Sequence, residues 1–538
     1  MFIPHGEVGT WSVTEVAALR LLNSQHAAIL QIPSEIIVSI FRHFIKTSPG
    51  YQEAVLLISS ICYYLRTLVF GTPELWGFVN MRGSLGPLFL ERCQWNPISV
   101  VPYFTERDLK KNARIYTCLN FWKCMPNLHL TRVELVEFCG TLENFRAFSW
   151  IFNYHLPNLE TLTLASGGLV KGAILSLEED PEVWNVNLST GRMLKDVHLQ
   201  QIFVPWASNV FYGLSTLSLD YRGFIPGATS IPMDAFLEVL SRSPRLEMCS
   251  LYSAIPQCHN KELLQDLKPA RIVELPLLEE LILLDETLNM AYLIRHLRFP
   301  SSTKTLLRVE TTLEQLEGLL STLFPPNSNS SFDGASRIAL QRESGIEYRP
   351  ALMIGNTTIR YLAEWDGRVV GPNDIAYTTF SLPLVEAVHR AGPSVRVLRI
   401  GLGDGLVVHP MVWKDILERL PNLEELVYAP GEGGDPQWPV FWNLLCQKGE
   451  NGLICPSLRS LRITSMQGIP PDSVACLAAR WKLEKPLGVF QLRVGNCERS
   501  VAEHTVAYLR PFVGNLIFEV IEQRQIVSPK DFASKPFH

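Results

Sequence analysis

A short apolar phrase, Leu-x-x-Leu-x-Leu, returns along most of this 538-residue chain and constrains its fold more than any other feature. It stands as Leu130/Val133/Leu135, Leu159/Leu162/Leu164, Leu194/Val197/Leu199, Leu214/Leu217/Leu219, Leu246/Cys249/Leu251 and Leu278/Leu281/Leu283. It resumes as Val395/Leu398/Ile400, Leu423/Leu426/Tyr428, Leu458/Leu461/Ile463 and Leu487/Phe490/Leu492, with weaker copies at Leu307/Val309 and Ile338/Leu340. Alternating apolar residues at the end of each phrase mark a short strand with one buried face. Between phrases, 233–240, 288–297, 313–323, 412–420 and 474–480 read as helices. A strand and a helix every 20 to 35 residues or so cannot bury their apolar faces alone, so neighbouring units must stack and their strands form a parallel sheet.

This pattern resembles a leucine-rich repeat, which implies an α/β solenoid: a curved parallel sheet with helices on the convex side. An α/β sandwich with chance repetition is the alternative; ten phrases, several as Pro-x-Leu-x-x-Leu, count against chance. In such a solenoid the residues between the buried leucines face the concave side. Here they include Arg132, Glu134, Thr161, Thr163, Asp196, His198, Thr216, Ser218, Glu280, Arg399, Arg462, Gln491 and Arg493. Of these, Arg132, Glu134, Asp196, His198, Arg399, Arg462 and Arg493 are the candidates for holding a target protein. The set is chemically mixed, with a slight basic lean toward the C-terminus. Residues 341–380 fit the period poorly: Ser344-Gly345-Ile346-Glu347-Tyr348 and Thr358-Ile359-Arg360-Tyr361-Leu362 read as strands of an inserted hairpin. Pro325-Pro326-Asn327-Ser328-Asn329-Ser330-Ser331 reads as a mobile loop dividing the array.

The N-terminal part follows a different rule. Ile36, Ile37, Ile40, Phe41, Phe44 and Ile45 fall on one helical stripe, with Pro33 and Glu35 suited to the first turn. Leu57, Ile61, Leu65 and Leu68 form a second stripe, ended by Gly71-Thr72-Pro73. Two short amphipathic helices cannot make a core alone; they need a third element or a partner. Spacing alone is also compatible with a helical cap closing a larger domain.

The residues of this part resemble an F-box, and in particular the large F-box family of mushroom-forming fungi. There, a Leu-Pro-x-Glu-Ile-x-x-x-Ile-Phe helix precedes a Leu-Leu-x-Ser-x-Val-Cys-x-x-Trp-Arg helix and a Thr-Pro-x-Leu-Trp tail. Ile32-Pro33-Ser34-Glu35-Ile36 with Ile40-Phe41 match the first; Leu56, Leu57, Ser59, Ile61, Cys62 and Arg66 match the second; Thr72-Pro73-Glu74-Leu75-Trp76 matches the tail. Leu90-Glu91-Arg92-Cys93 to Asn96-Pro97-Ile98-Ser99-Val100 resembles the next landmark, a helix leading into a Pro-x-x-Val strand. The chain departs from the pattern at Leu65, where the family has tryptophan, and at Tyr63-Tyr64, where it has polar or basic residues. The resemblance implies binding to a Skp-type adaptor and, through it, a cullin, with Ile32, Pro33, Ile36, Ile40 and Leu57 as adaptor contacts. Phe41, Ile61, Cys62, Leu65 and Trp76 are expected in the module's core.

Other classes fit less well. A net charge of −5 argues against a nucleic-acid partner. No run of about eighteen apolar residues suggests a membrane span. Met1-Phe2-Ile3-Pro4-His5-Gly6-Glu7 has no basic region leading into an apolar core, so a signal peptide is not expected, and cytoplasm or nucleus is the expected compartment. The eleven cysteines are scattered and without a Cys-x-x-Cys pair, as expected of buried small hydrophobes. Gly401-Leu402-Gly403-Asp404-Gly405 lacks the third glycine of a dinucleotide loop, and Gly431-Glu432-Gly433-Gly434-Asp435 has no lysine for a phosphate. Cys118 and Cys124 have no histidine at zinc spacing. No cofactor, metal or catalytic residue is expected.

The expected organisation is a lead-in over 1–27, the F-box over 28–80, a linker and first cap over 81–120, repeats over 121–324, the loop and insertion over 325–380, repeats over 381–525, and a tail over 526–538. The expected role is a non-catalytic receptor subunit of a ubiquitin ligase. The competing reading is a repeat scaffold or sensor with a degenerate F-box.

Overall fold

In the computed structural model the described residues are 31–47, 51–79, 85–100, 133–140, 156–166, 194–202, 204, 209–222, 233–257, 271–312, 318–324, 335, 337–343, 349–355, 357–365, 368–369, 382–403, 410–430, 438–446, 448–449, 452–465, 472–482, 486–495, 504 and 506–521. They mix helix and strand, and most strand pairings are parallel. The chain divides into two compact units, residues 1–212 and 213–538. The expected lead-in, tail and loop at 325–331 lie outside the described residues. Phrases on both sides of that loop belong to the second unit.

The first unit begins with α1 (Ser34–Thr47), α2 (Tyr51–Ile61) and α3 (Tyr63–Phe70). The stripe from Leu57 to Leu68 predicts one helix; the structure has two. Cys62 leaves the helix with extended backbone (φ −155°, ψ 167°), and its Sγ accepts the Leu65 N–H, capping α3. A 3₁₀ turn (Pro73–Trp76) leads to β1 (Phe78–Val79), then α4 (Gly86–Arg92) and β2 (Ile98–Val100). At Gly77 a Cβ would lie 2.6 Å from the Pro97 carbonyl oxygen, so only glycine lets β1 approach β2 this closely. The ladder continues in parallel through β3 (Val133–Gly140), β4 (Thr161–Ser166) and β5 (Asp196–Gln200).

The second unit alternates strands with helices. It contains β6 (Thr216–Asp220), α5 (Met233–Ser241), β7 (Met248–Tyr252), β8 (Val273–Glu274), β9 (Glu280–Glu286), α6 (Thr287–Arg295), β10 (Leu297–Arg298), β11 (Lys304–Thr312) and α7 (Leu319–Leu323). Next come β12 (Arg337–Glu343), β13 (Arg349–Ile354), β14 (Thr357–Trp365), β15 (Arg368–Val369), α8 (Leu382–Ala391), β16 (Val397–Gly403), α9 (Pro410–Glu418) and β17 (Glu425–Pro430). Last are α10 (Trp438–Cys446), β18 (Lys448–Gly449), β19 (Gly452–Leu453), β20 (Ser460–Ser465), α11 (Asp472–Lys482), β21 (Leu487–Gly495) and β22 (Val513–Ile521).

A recurring turn places each phrase. The N–H of Leu159, Leu246, Leu278, Val395, Leu423 and Leu458 each donates to the carbonyl three residues earlier, at 3.0–3.3 Å. The second position of all six turns is proline: Pro157, Pro244, Pro276, Pro393, Pro421 and Pro456. Its fixed φ suits that position and its missing N–H costs nothing there. Over the next two residues the chain is handed to its neighbour. The N–H groups of Glu247 and Met248 both donate to Ser215 O, those of Glu279 and Glu280 to Glu247 O, and those of Arg459 and Ser460 to Glu424 O.

These turns bring one apolar row into register across the second unit: Leu219, Leu251, Leu283, Leu307, Ile359, Leu352, Leu340, Ile400, Tyr428, Ile463 and Leu492. Every member is buried, each stabilising the fold by roughly 1.5–3 kcal/mol before entropy. The row passes unbroken through the irregular segment. From β11 the chain skips two places in the sheet to β12, turns back along β13, and returns as β14 to fill the gap beside β11. β13 is therefore antiparallel to both β12 and β14, while β12 pairs in parallel with β16. Of the two strands expected to form a hairpin, 358–362 falls within β14, which pairs antiparallel with β13, and 344–348 lies outside the described residues.

Several elements had no forecast, among them two helices and one long strand. Helices α8 and α10 occupy connections that sequence reading left unassigned, and β22 adds a strand beside β21. β22 repeats the phrase spacing as Val513/Leu516/Phe518, but only Val513 is fully buried.

One buried carboxylate sits at the end of β9. Asp285 accepts the N–H groups of Ile255 (3.2 Å) and Glu286 (2.8 Å) and the Asn289 side-chain amide (2.7 Å). Burial pushes its pKa up from 3.8 to about 6, against these hydrogen bonds. The folded state thus holds this proton more tightly than the unfolded state does. The stability it brings is complete below pH 4 and lost as pH rises through about 6, a loss of up to about 3 kcal/mol. Relative to Asp285→Asn, which does not titrate, the wild-type unfolding free energy should fall between pH 4 and 7. Denaturant unfolding of both proteins at the two pH values measures this, and a rise would refute it.

Candidate functional site

Helix α1 carries two adjacent apolar rows. Ile37, Phe41 and Ile45 are buried; Ile36 and Ile40, each 52% exposed, and Phe44 face outward. Both rows step by four residues, and with about 100° between successive residues only one can face the interior. Helix α2 repeats the arrangement: Ala54, Val55 and Ile58 are buried, while Leu57 and Ile61 are 58% and 63% exposed. Helices α1 and α2 pack on each other. Of the five expected adaptor contacts, Ile36, Ile40, Leu57 and Pro33 are exposed and Ile32 is half-buried. Phe44 and Ile61 join the same outward rows and were not among those five.

The interior is complete without these rows. Trp76 is fully buried, donates its Nε1–H to Val69 O at 2.9 Å, stacks on Phe70 (5.5 Å) and meets Phe89 edge-on (4.8 Å). Arg66 Nε donates to Ser59 O at 2.9 Å, bracing α3 against the end of α2, and Arg42 pairs with Glu74. Leu65 is 2% exposed, so the position where the fungal family has tryptophan is interior here and filled by a smaller side chain. Of the expected core residues, Phe41, Leu65 and Trp76 are buried. Cys62 is half-buried and serves as a cap, and Ile61 is a correction: it points outward. The break at Cys62 is the reason, because it takes Ile61 out of helical phase with Leu65.

The expected target-binding residues fall into separate groups. In the first unit, Asp196 and His198 are half-buried on β5, and Thr161 Oγ1 donates to Asp196 Oδ2 at 3.4 Å. Burial lowers the His198 pKa, with the Asp196 charge opposing it. Arg132 lies outside the described residues, as does the side chain of Glu134. In the second unit Arg399, Arg462 and Arg493 come together on the outward face of β16–β21. Arg399 and Arg462 flank Val427 in register and approach Glu425 at 3.6 and 3.7 Å, while Arg493 pairs with Glu519 at 2.6 Å. Sequence reading missed both carboxylates, which offset most of the basic lean. Glu425 opens the strand after the Leu423 turn, so the phrase spacing places it on this face.

No group of three or more His, Cys, Asp or Glu residues that could hold a metal occurs among the described residues. Nor is any helix among them long and apolar enough to cross a membrane. Cys93, Cys249, Cys455 and Cys476 are buried, whereas Cys62 and Cys446 are half-buried. The chain matches no protein-family model and no curated protein.

Truncating the two rows of the helical pair should have opposite effects. Leu65→Ala, which empties an interior site, should cost about 2–5 kcal/mol. Ile36→Ser with Ile40→Ser should change stability by no more than about 0.5 kcal/mol each, as for other exposed positions. Denaturant unfolding measures both, and equal costs would mean the outward row is part of the core.

Proposed function

We propose that this protein is the substrate-recognition subunit of a Skp–cullin–F-box ubiquitin ligase, with an F-box at residues 28–80 and a leucine-rich-repeat solenoid for the target. The observation that carries this reading is the outward apolar row on each of α1 and α2, on helices whose opposite faces already close a core. An apolar helical face left outside a completed core suits a partner with a hydrophobic groove. The F-box-like landmarks fall in this same stretch, from Ile32 to Trp76. Ile32, Pro33, Ile36, Ile40 and Leu57 would contact the adaptor, and Phe44 and Ile61 would widen that contact. The strand face bearing Arg399, Arg462 and Arg493 would take part in holding the target. Ubiquitin transfer would then follow from proximity, with a target lysine kept near a charged enzyme supplied by other subunits. This chain would contribute no catalytic group.

One observation favours a second reading. Leu65 replaces the family's interior tryptophan, which suits a helical cap retained without docking, on an array acting as a scaffold or sensor.

Co-expression with a Skp-type adaptor separates the two. The wild-type chain should co-purify with it, and Ile36→Asp with Ile40→Asp should weaken binding at least about 100-fold. Two lost side chains at roughly 1.5–3 kcal/mol each account for that factor. Failure of the wild-type chain to retain any adaptor refutes the receptor reading.

A further inference from the structure

Helices α10 and α11 of the second unit pack together around a buried guanidinium. Arg480 is 1% exposed. Its Nη1 donates to Leu445 O at 3.1 Å and to Ile454 O at 3.4 Å, and its Nη2 donates to Cys455 O at 3.1 Å; its Nε has no partner. No carboxylate among the described residues pairs with it. A cation removed from water needs compensation, and carbonyl dipoles supply only part of it.

Three cysteines lie near enough to Arg480 for charge to couple them. Cys476 lies one turn before it on α11 and so shares its face. The bond to Leu445 O draws in the last turn of α10, which ends at Cys446. Cys455 is held through its own carbonyl. The three thiols are not equivalent. Cys455 is buried, its Sγ donates to Leu417 O at 3.3 Å, and burial pushes its pKa up to about 12. Cys446 and Cys476 are brought together where α10 packs on α11, and each thiol shifts the other's pKa. Their interaction raises the pKa of Cys476, as does burial; it lowers that of Cys446, where the Arg480 charge adds to it and burial opposes it. Only Cys446 of the three is open to solvent. A lowered pKa, solvent access and a neighbouring second thiol are what a peroxide-sensitive cysteine requires.

We infer that Cys446 and Cys476 form a thiol pair that responds to hydroperoxides, with Cys446 as the attacking sulfur and Cys476 as the resolving one. The Cys446 thiolate takes one oxygen of the peroxide; the O–O bond breaks, and hydroxide leaves. The Cys476 thiol then attacks the resulting sulfenic acid, the S–O bond breaks, and a disulfide forms with loss of water. Each disulfide consumes one hydroperoxide, which is reduced as the two thiols are oxidised. The bridge would tie the end of α10 to α11. This inference is independent of the ligase reading.

The test uses the full, reduced chain with hydrogen peroxide as the probe and peptide mapping without reductant as the readout. A Cys446–Cys476 linked peptide should accumulate with dose and disappear on adding dithiothreitol. In Cys476→Ser, dimedone should trap a sulfenic acid at Cys446; in Cys446→Ser, Cys476 should remain a thiol. Iodoacetamide should label Cys446 several-fold faster than it labels Cys62, the other half-buried cysteine among the described residues. The inference is overturned if Cys446 stays reduced at doses that oxidise Cys62, or if it bridges to any cysteine other than Cys476.

Discussion

Everything in the second unit depends on keeping one row of apolar side chains in register from Leu219 to Leu492. Side chains alternate faces along a strand, so a slip of one residue would turn a strand's buried members outward. The proline turn and the doubled hydrogen bond to the preceding strand prevent this, because they set where each strand begins before its side chains pack. The irregular segment obeys the same constraint. Reversing the order of β12, β13 and β14 keeps Leu340, Leu352 and Ile359 in the row, although it changes the direction of one strand. Topology varies there; the buried row does not.

The same economy governs the helical pair. A helix of about three to four turns, rich in apolar residues, has more greasy surface than its own small core can take. In α1 the surplus is resolved cleanly, with Ile37, Phe41 and Ile45 inward and Ile36, Ile40 and Phe44 outward. The break at Cys62 does the same for α2, leaving Leu57 and Ile61 outside while Leu65 closes the interior. Trp76 completes that interior by stacking on Phe70 and meeting Phe89, while Ile36, Ile40, Leu57 and Ile61 stay outside it.

Charge follows a less regular rule. On the outward face of β16–β21 the three arginines meet Glu425 and Glu519, which blunts the field that arginines alone would present. Exposed and half-exposed pairs of this kind contribute little to stability, about 0–1 kcal/mol each, and their role is more in what they admit to the surface. The interior cation Arg480 is different. It meets carbonyls and thiols where a carboxylate would be expected, and that environment sets Cys446 apart from the buried cysteines around it.

Much of the strand pattern could be read from spacing alone, because the period-two burial of a strand and the proline before it are local properties. The positions from Leu159 to Leu492 that were assigned inward on that basis are buried. What spacing could not decide was anything that depends on a neighbour distant in the chain. Which of two equally apolar rows on α1 turns inward is set by α2 and the Trp76 turn. The break at Cys62 arises from a local cap that competes with a continuous stripe. β22 escaped notice because an outer strand is covered on fewer sides and needs fewer buried residues. Glu425 reaches Arg399 and Arg462, and Cys446 reaches Cys476, only once strands and helices about thirty residues apart lie side by side. The sequence by itself determined the strands, their turns and the amphipathic character of the N-terminal helices. Tertiary structure decided which apolar face was hidden and which charges and thiols met, since burial and pairing belong to contacts and not to single residues.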